Sequence, residues 1–87
     1  MSKYIPGEIV TAGTLEVGDT VFLRQRKAPN GGLPIPIQAA VVTELVPLAD
    51  GRVRVYVRNA NSGESVPARL LGDLPATREF RAAVLDD

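Results

Sequence analysis

The segment "GRVRVYVRN", residues 51–59, constrains the fold of this chain most strongly, because apolar and polar side chains alternate along it. Successive side chains of a β-strand point to opposite faces, so the alternation predicts a strand with one buried face. The predicted core face carries Val53, Val55 and Val57. The predicted outer face carries Arg52, Arg54, Tyr56 and Arg58.

The residues before this strand predict a β-hairpin. Asp50-Gly51 is a strong hairpin signal, because glycine adopts a positive φ at no steric cost. A loop with an even number of residues would place Glu44 among the core valines, where an unpartnered carboxylate is costly. We therefore predict a three-residue loop with Gly51 in a bulge.

The three-residue loop fixes the register of the hairpin. Two pairs of facing residues follow from it: Leu45 with Val55, and Glu44 with Tyr56. In this register Val42 and Val46 are expected on the arginine side of the sheet, beside Tyr56. That side is then both apolar and cationic.

Other segments also have the pattern of strands. They cover residues 8–12, 20–26, 38–48 and 65–71, and Pro67 marks the last of them as an edge strand. The sequence "GDLP", residues 72–75, is typical of a tight turn. Residues 76–87 fit a helix or a strand. We favour the strand, because two aspartates at the end would oppose a helix dipole.

Two further stretches suggest surfaces. In the segment 20–26, alternation places Phe22, Arg24 and Arg26 on one face. The proline-rich loop "APNGGLPIPIQ" carries Leu33, Ile35 and Ile37 on an extended backbone. These three residues either dock into a partner or cover one end of the core, and we favour the second interpretation.

The stretches "GTLEVGDTVFLR" and "AVVTELVPLADGRVRVYVR" together resemble the SH3-like small β-barrels. The resemblance implies an all-β, five-stranded barrel that can end in a short C-terminal helix or strand. We expect residues 1–87 to form it as a single domain. This superfold hosts peptide binders, nucleic-acid binders, chromatin readers and phage structural proteins, so it implies no single function. The chain lacks the acidic loop and the adjacent tryptophan of peptide-binding SH3 domains, which argues against polyproline recognition.

Composition excludes several classes of function. The 87 residues contain no Cys, His or Trp, which removes disulfides, thiolate nucleophiles, imidazole bases and the usual zinc sites. The carboxylates are scattered, so we expect no enzyme, no metal and no cofactor. "MSKYIPGE" lacks the apolar core of a signal peptide, and no stretch suits a membrane helix. We expect a cytoplasmic protein. A composition rich in Ala, Val, Arg, Gly and Asp suggests that the protein comes from a bacterium or a phage.

Three interpretations of the arginine strand remain open. The face is simply solvated; or it belongs to a protein interface or homo-oligomer that uses Val42, Val46 and Tyr56; or it binds a nucleic acid. The third interpretation combines the face of the segment 20–26 with the outer face of the strand at 51–59. The combined cationic and aromatic set is Phe22, Arg24, Arg26, Arg52, Arg54, Tyr56 and Arg58. Zero formal net charge, from 10 basic and 10 acidic residues, favours association between copies over a general affinity for polyanions.

Overall fold

Six antiparallel strands form one sheet in the computed structural model, which describes residues 3–26, 30–32, 35–61 and 66–86. The strands are β1 (Lys3–Thr11), β2 (Thr20–Arg26), β3 (Ile35–Pro47), β4 (Arg52–Asn59), β5 (Arg69–Pro75) and β6 (Glu79–Asp86). A 3-10 turn, Ala12–Thr14, follows β1. The all-β class predicted from the alternating valines is confirmed.

The order of the strands in the sheet is β1-β6-β2-β3-β4-β5, so β1 and β5 are its two edges. These edge strands are not paired with each other within the described residues, and the sheet is therefore not closed there into the five-stranded barrel that the sequence predicted. The C-terminal segment is the strand β6, as favoured, and it lies inside the sheet between β1 and β2. Leu33 of the proline loop lies outside the described residues, as do the side chains of Ile35 and Ile37.

The β3–β4 hairpin has the predicted register. Leu45 faces Val55 and Glu44 faces Tyr56. The loop closes where the amide of Leu48 donates a hydrogen bond to the carbonyl of Arg52, at 2.8 Å. Gly51 has a φ of 86°, a backbone conformation that residues with a side chain rarely adopt. This explains why glycine stands at the end of the loop.

Val42 does not lie where the sequence predicted. A bulge between Val42 and Glu44 adds one residue, Thr43, to β3. Because an extra residue reverses the alternation, Val42 faces Val57 on the core side and is only 1% exposed. The expectation that Val42 shares the arginine side is therefore wrong.

The core lies on one face of the sheet, under the 3-10 turn. Its buried residues are Ala12, Leu15, Val21, Ala40, Val42, Val55, Val57 and Phe80. The 3-10 turn is tied to the β5–β6 connection by hydrogen bonds from the amides of Ala12 and Gly13 to the carbonyls of Arg78 and Ala76. A Cβ atom on Gly13 would lie 3.0 Å from the Cβ of Ala76, so a side chain here would force the two segments apart by a few tenths of an ångström.

The segment at residues 72–75 is not the tight turn that "GDLP" suggested. It forms the second half of β5 and pairs with residues 52–55 of β4. The chain turns later, where the amide of Arg78 donates a hydrogen bond to the carbonyl of Pro75, at 2.9 Å. In the described part of the chain, no helix is long and apolar enough to cross a membrane.

Candidate functional site

Strand β4 presents its two faces as the alternation predicted. Val55 and Val57 are fully buried. Val53 is partly buried and packs against the same core. The residues of the opposite face are Arg52, Arg54, Tyr56 and Arg58, of which Arg52 is exposed and the other three are half-buried. The sheet therefore displays this stripe on the side away from the core.

A bidentate ion pair joins β4 to the edge strand β5. Arg54 faces Asp73 across the ladder; its Nε donates to Oδ1 at 2.7 Å and its Nη2 donates to Oδ2 at 3.1 Å. The hydrogen bond from Arg54 is the main reason why the pKa of Asp73 is lowered, and the same bond raises the pKa of Arg54. Both side chains stay partly exposed, so the pair acts chiefly by cancelling charge at the surface.

Asp73 is the charged residue that the sequence analysis missed. The interpretation of "GDLP" as a turn places Asp73 outside the sheet, and Glu44, opposite Tyr56, is then the acidic residue expected beside the arginine face. Glu44 does face Tyr56, yet it forms no ion pair with any residue whose side chain the structure describes. A strand at 69–75 would have placed Asp73 within reach of the arginines.

Arg52 is also paired, although more loosely. Its Nε lies 3.5 Å from Oδ2 of Asp50, the hairpin-loop residue whose other oxygen accepts a hydrogen bond from the backbone amide of Arg52. Two of the three β4 arginines therefore lie beside a carboxylate. A phosphate group would have to compete with these aspartates for the guanidinium groups.

The predicted cationic and aromatic face of β2 does not extend the arginine face of β4. Strand β3 separates β2 from β4, which places the two stripes two strand spacings, roughly 10 Å, apart. Phe22 faces Ala39 on one side and Arg81 on the other, and it is only 7% exposed, so the prediction of an exposed stacking ring is wrong. The backbones of Arg24 and Arg26 pair with Gln38 and Ile35, but their side chains lie outside the described part.

Apolar side chains complete the outer face of β4 and its neighbours. Tyr56 faces Leu70 of β5, which is 53% exposed, and Val46 of β3 faces Arg54. We call this set, Val46, Arg54, Tyr56, Leu70 and Asp73, the β4–β5 surface. It borders β5, the edge strand of the sheet in the described part of the chain, and its one arginine is matched by its one aspartate.

Comparisons with protein-family models, with curated proteins and with solved structures find no match for this chain. The functional argument consequently depends on the geometry and chemistry of these residues.

Proposed function

We propose that this chain is a non-catalytic assembly module, and that it associates with a second copy of itself through the β4–β5 surface. The observation that carries the proposal is the Arg54–Asp73 ion pair beside Tyr56 and the exposed Leu70. The ion pair removes the net charge that would keep two such surfaces apart. What remains is an apolar patch at the edge of a sheet.

The edge strand gives this association its geometry. An unpaired strand edge is a template for pairing with another chain, and two β5 strands related by a two-fold axis would pair antiparallel. Each copy then brings its own Tyr56 and Leu70 towards the contact. Tyrosine and arginine are enriched among the residues that dominate binding energy at interfaces.

The size and charge of the chain support the same conclusion. A domain of 87 residues has little core with which to stabilise itself, and association is a common remedy. Zero formal charge leaves no long-range repulsion between copies.

We also infer that the fold is an open relative of the SH3-like barrel. The 3-10 turn after β1 lies against β4 and β5, at the opposite end of the sheet from the edge strand β1.

A nucleic-acid role for the arginine strand has weaker support. Asp73 and Asp50 already occupy two of its guanidinium groups, and Phe22 is buried. Such a role predicts binding that weakens steeply with salt, because phosphate contacts release counterions. Apolar assembly predicts an association that salt leaves unchanged or strengthens.

Light scattering on a concentration series, at low and high salt, tests the proposal. We expect the mass to rise from that of a 9.3 kDa monomer towards twice that value, with little effect of salt. The substitution Leu70→Lys should return the chain to a monomer, because it places two ammonium groups at the contact. Val17→Lys is the matched control, since Val17 is 64% exposed and lies in the β1–β2 connection.

The proposal fails if the wild-type chain remains a monomer at every concentration, or if Val17→Lys and Leu70→Lys change the mass equally. Adding a short single-stranded oligonucleotide to the same series separates the alternative. A salt-sensitive complex with the oligonucleotide, without self-association, would favour nucleic-acid binding by the arginine strand.

A further inference from the structure

A cleft opens where β2 and β6 separate. The two strands are paired at Val21↔Ala82 and Phe22↔Arg81, and the ladder does not continue to Leu23 and Phe80 within the described residues. The cleft beyond the last pair has a volume of about 360 Å³, which lies within the usual range of ligand sites. Its apolar lining consists of Ile9, Phe22, Leu23 and Phe80.

Three charged residues surround this apolar lining: Arg78, Glu79 and Arg81. Two arginines and one glutamate give the rim a net positive charge. Neither arginine lies within ion-pair distance of a carboxylate in the described part of the chain. This differs from β4, where Arg52 and Arg54 both have aspartate partners.

Uncharged groups hold both rim arginines in place. Nη1 of Arg78 donates a hydrogen bond to the backbone carbonyl of Glu79 at 2.8 Å, and the guanidinium lies 5.1 Å from the centre of the Phe80 ring. Nη1 of Arg81 donates to the carbonyl of Gly7 at 3.0 Å. Each guanidinium is oriented while its charge stays uncompensated and further N–H donors remain for a ligand.

We propose that this cleft binds a carboxylate of an extended, apolar peptide segment from a partner protein. The arginines supply paired donors that match a carboxylate, and the phenylalanine and leucine side chains receive the apolar neighbour. A peptide fits better than a small acid, because the cleft runs between two strands that have separated from each other. Their backbones offer donors and acceptors to an added strand. The site shares no residue with the β4–β5 surface.

Nuclear magnetic resonance titration of the ¹⁵N-labelled chain tests the proposal with defined probes. The probes are acetyl-Val-Glu-Val-Glu-Val-amide, its glutamine counterpart, and hexanoate as a small apolar carboxylate. We expect the glutamate peptide to shift the amides of Leu23, Phe80 and Arg81, and to bind about tenfold or more tightly than the glutamine peptide. Hexanoate should bind far more weakly than the peptide.

Arg78→Gln should weaken binding of the glutamate peptide about tenfold, because it removes one charged donor from an exposed rim position. Arg52→Gln, on strand β4, is the control that removes the same charge away from the cleft, and it should leave the affinity unchanged. The proposal is overturned if the glutamate peptide causes no shift at the cleft, if both variants weaken it equally, or if hexanoate binds as tightly. Because the mass in light scattering is measured without peptide, failure here is distinct from failure of self-association.

Discussion

The β4–β5 ladder and the β2–β6 seam both join neighbouring antiparallel strands, but they are stabilised differently. Strands β4 and β5 are paired from Arg52↔Pro75 to Val57↔Arg69, whereas β2 and β6 meet at two pairs. The longer ladder, with one register shift between Val55 and Tyr56, joins β4 and β5 along most of their length. At the seam, side-chain packing must replace the missing pairs, and a cleft remains at each end, of about 360 and 290 Å³.

The arginines of the two regions differ in the same way. On β4–β5 the ladder places the carboxylate of Asp73 opposite Arg54, and the charge of Arg54 is cancelled. At the seam, Arg78 and Arg81 donate to backbone carbonyls, which fix their position without cancelling their charge. The longer ladder thus places opposite charges side by side on the surface that we propose for assembly. The short ladder leaves open the cationic cleft that we propose for an anionic peptide.

Removing the Phe80 ring is the most direct way to break the seam. Phe80 is 6% exposed and packs in the core at the place where β2 leaves β6. Phe80→Ala should lower the free energy of unfolding by about 3–5 kcal/mol, through lost burial and the cavity it leaves. Urea denaturation measures this loss. On β4, Val55→Ala should cost about 2 kcal/mol, because it removes only two carbons.

If Phe80→Ala proves no more costly than Val55→Ala, packing at the seam is not what compensates for its short ladder. Ile9→Ala serves as the control at the same cleft. Ile9 is exposed, so its truncation should change the free energy of unfolding by less than about 0.5 kcal/mol.

The sequence predicts local pairing much better than distant pairing. The β3–β4 register follows from a three-residue loop and from the need to keep Glu44 out of the core, both of which are legible in adjacent residues. No comparable local rule places β6 beside β2, because the chain between them forms three other strands. The seam, and therefore the cleft with Arg78 and Arg81, was absent from the sequence analysis.

A substitution at Gly51 tests whether the hairpin loop determines the β3–β4 register. Because nothing lies within 4 Å of a Cβ atom built on Gly51, any cost of Gly51→Ala comes from its φ of 86°. We expect a loss of about 1–2 kcal/mol in the free energy of unfolding, measured in urea. Gly51→Asn should lose less, since asparagine tolerates this conformation better.

A value for Gly51→Ala near zero would show that the positive φ of Gly51 is not what holds the loop, and with it the register, in place. The side chains on either side of it would then do so. In that case the prediction of a three-residue loop gave the right register for a reason other than the conformation of Gly51.

Irregularities limit what alternation alone predicts. One extra residue at Thr43 carries Val42 into the core, and a second shift lies between Val55 and Tyr56 on the β4–β5 ladder. A bulge reverses the facing of every residue beyond it, and nothing in the composition of "VVTEL" marks where it falls. Val46 and Tyr56 were placed correctly because they lie on the hairpin side of the β3 bulge.

The smallest expected effect concerns the Arg54–Asp73 pair, and it sharpens the difference in charge between the two regions. The pKa of Asp73 is lowered chiefly by the hydrogen bond from Arg54, so the folded state favours the ionised carboxylate. This contribution to stability is fully present above the ordinary aspartate pKa of about 3.9, and it is lost as the pH falls through the lowered value. Asp73→Asn removes the ionised form at every pH.

Urea midpoints of the wild type and of Asp73→Asn should therefore differ slightly at neutral pH and converge in acid. Glu79→Gln, on the rim of the cleft, is the control, because Glu79 lies in no ion pair within the described residues. Asp73→Asn also releases the charge of Arg54, so a salt-sensitive affinity for a single-stranded oligonucleotide should appear or increase. If the midpoints differ equally at all pH values, the ion pair does not stabilise the fold, and the neutrality of the β4–β5 surface must be explained without it.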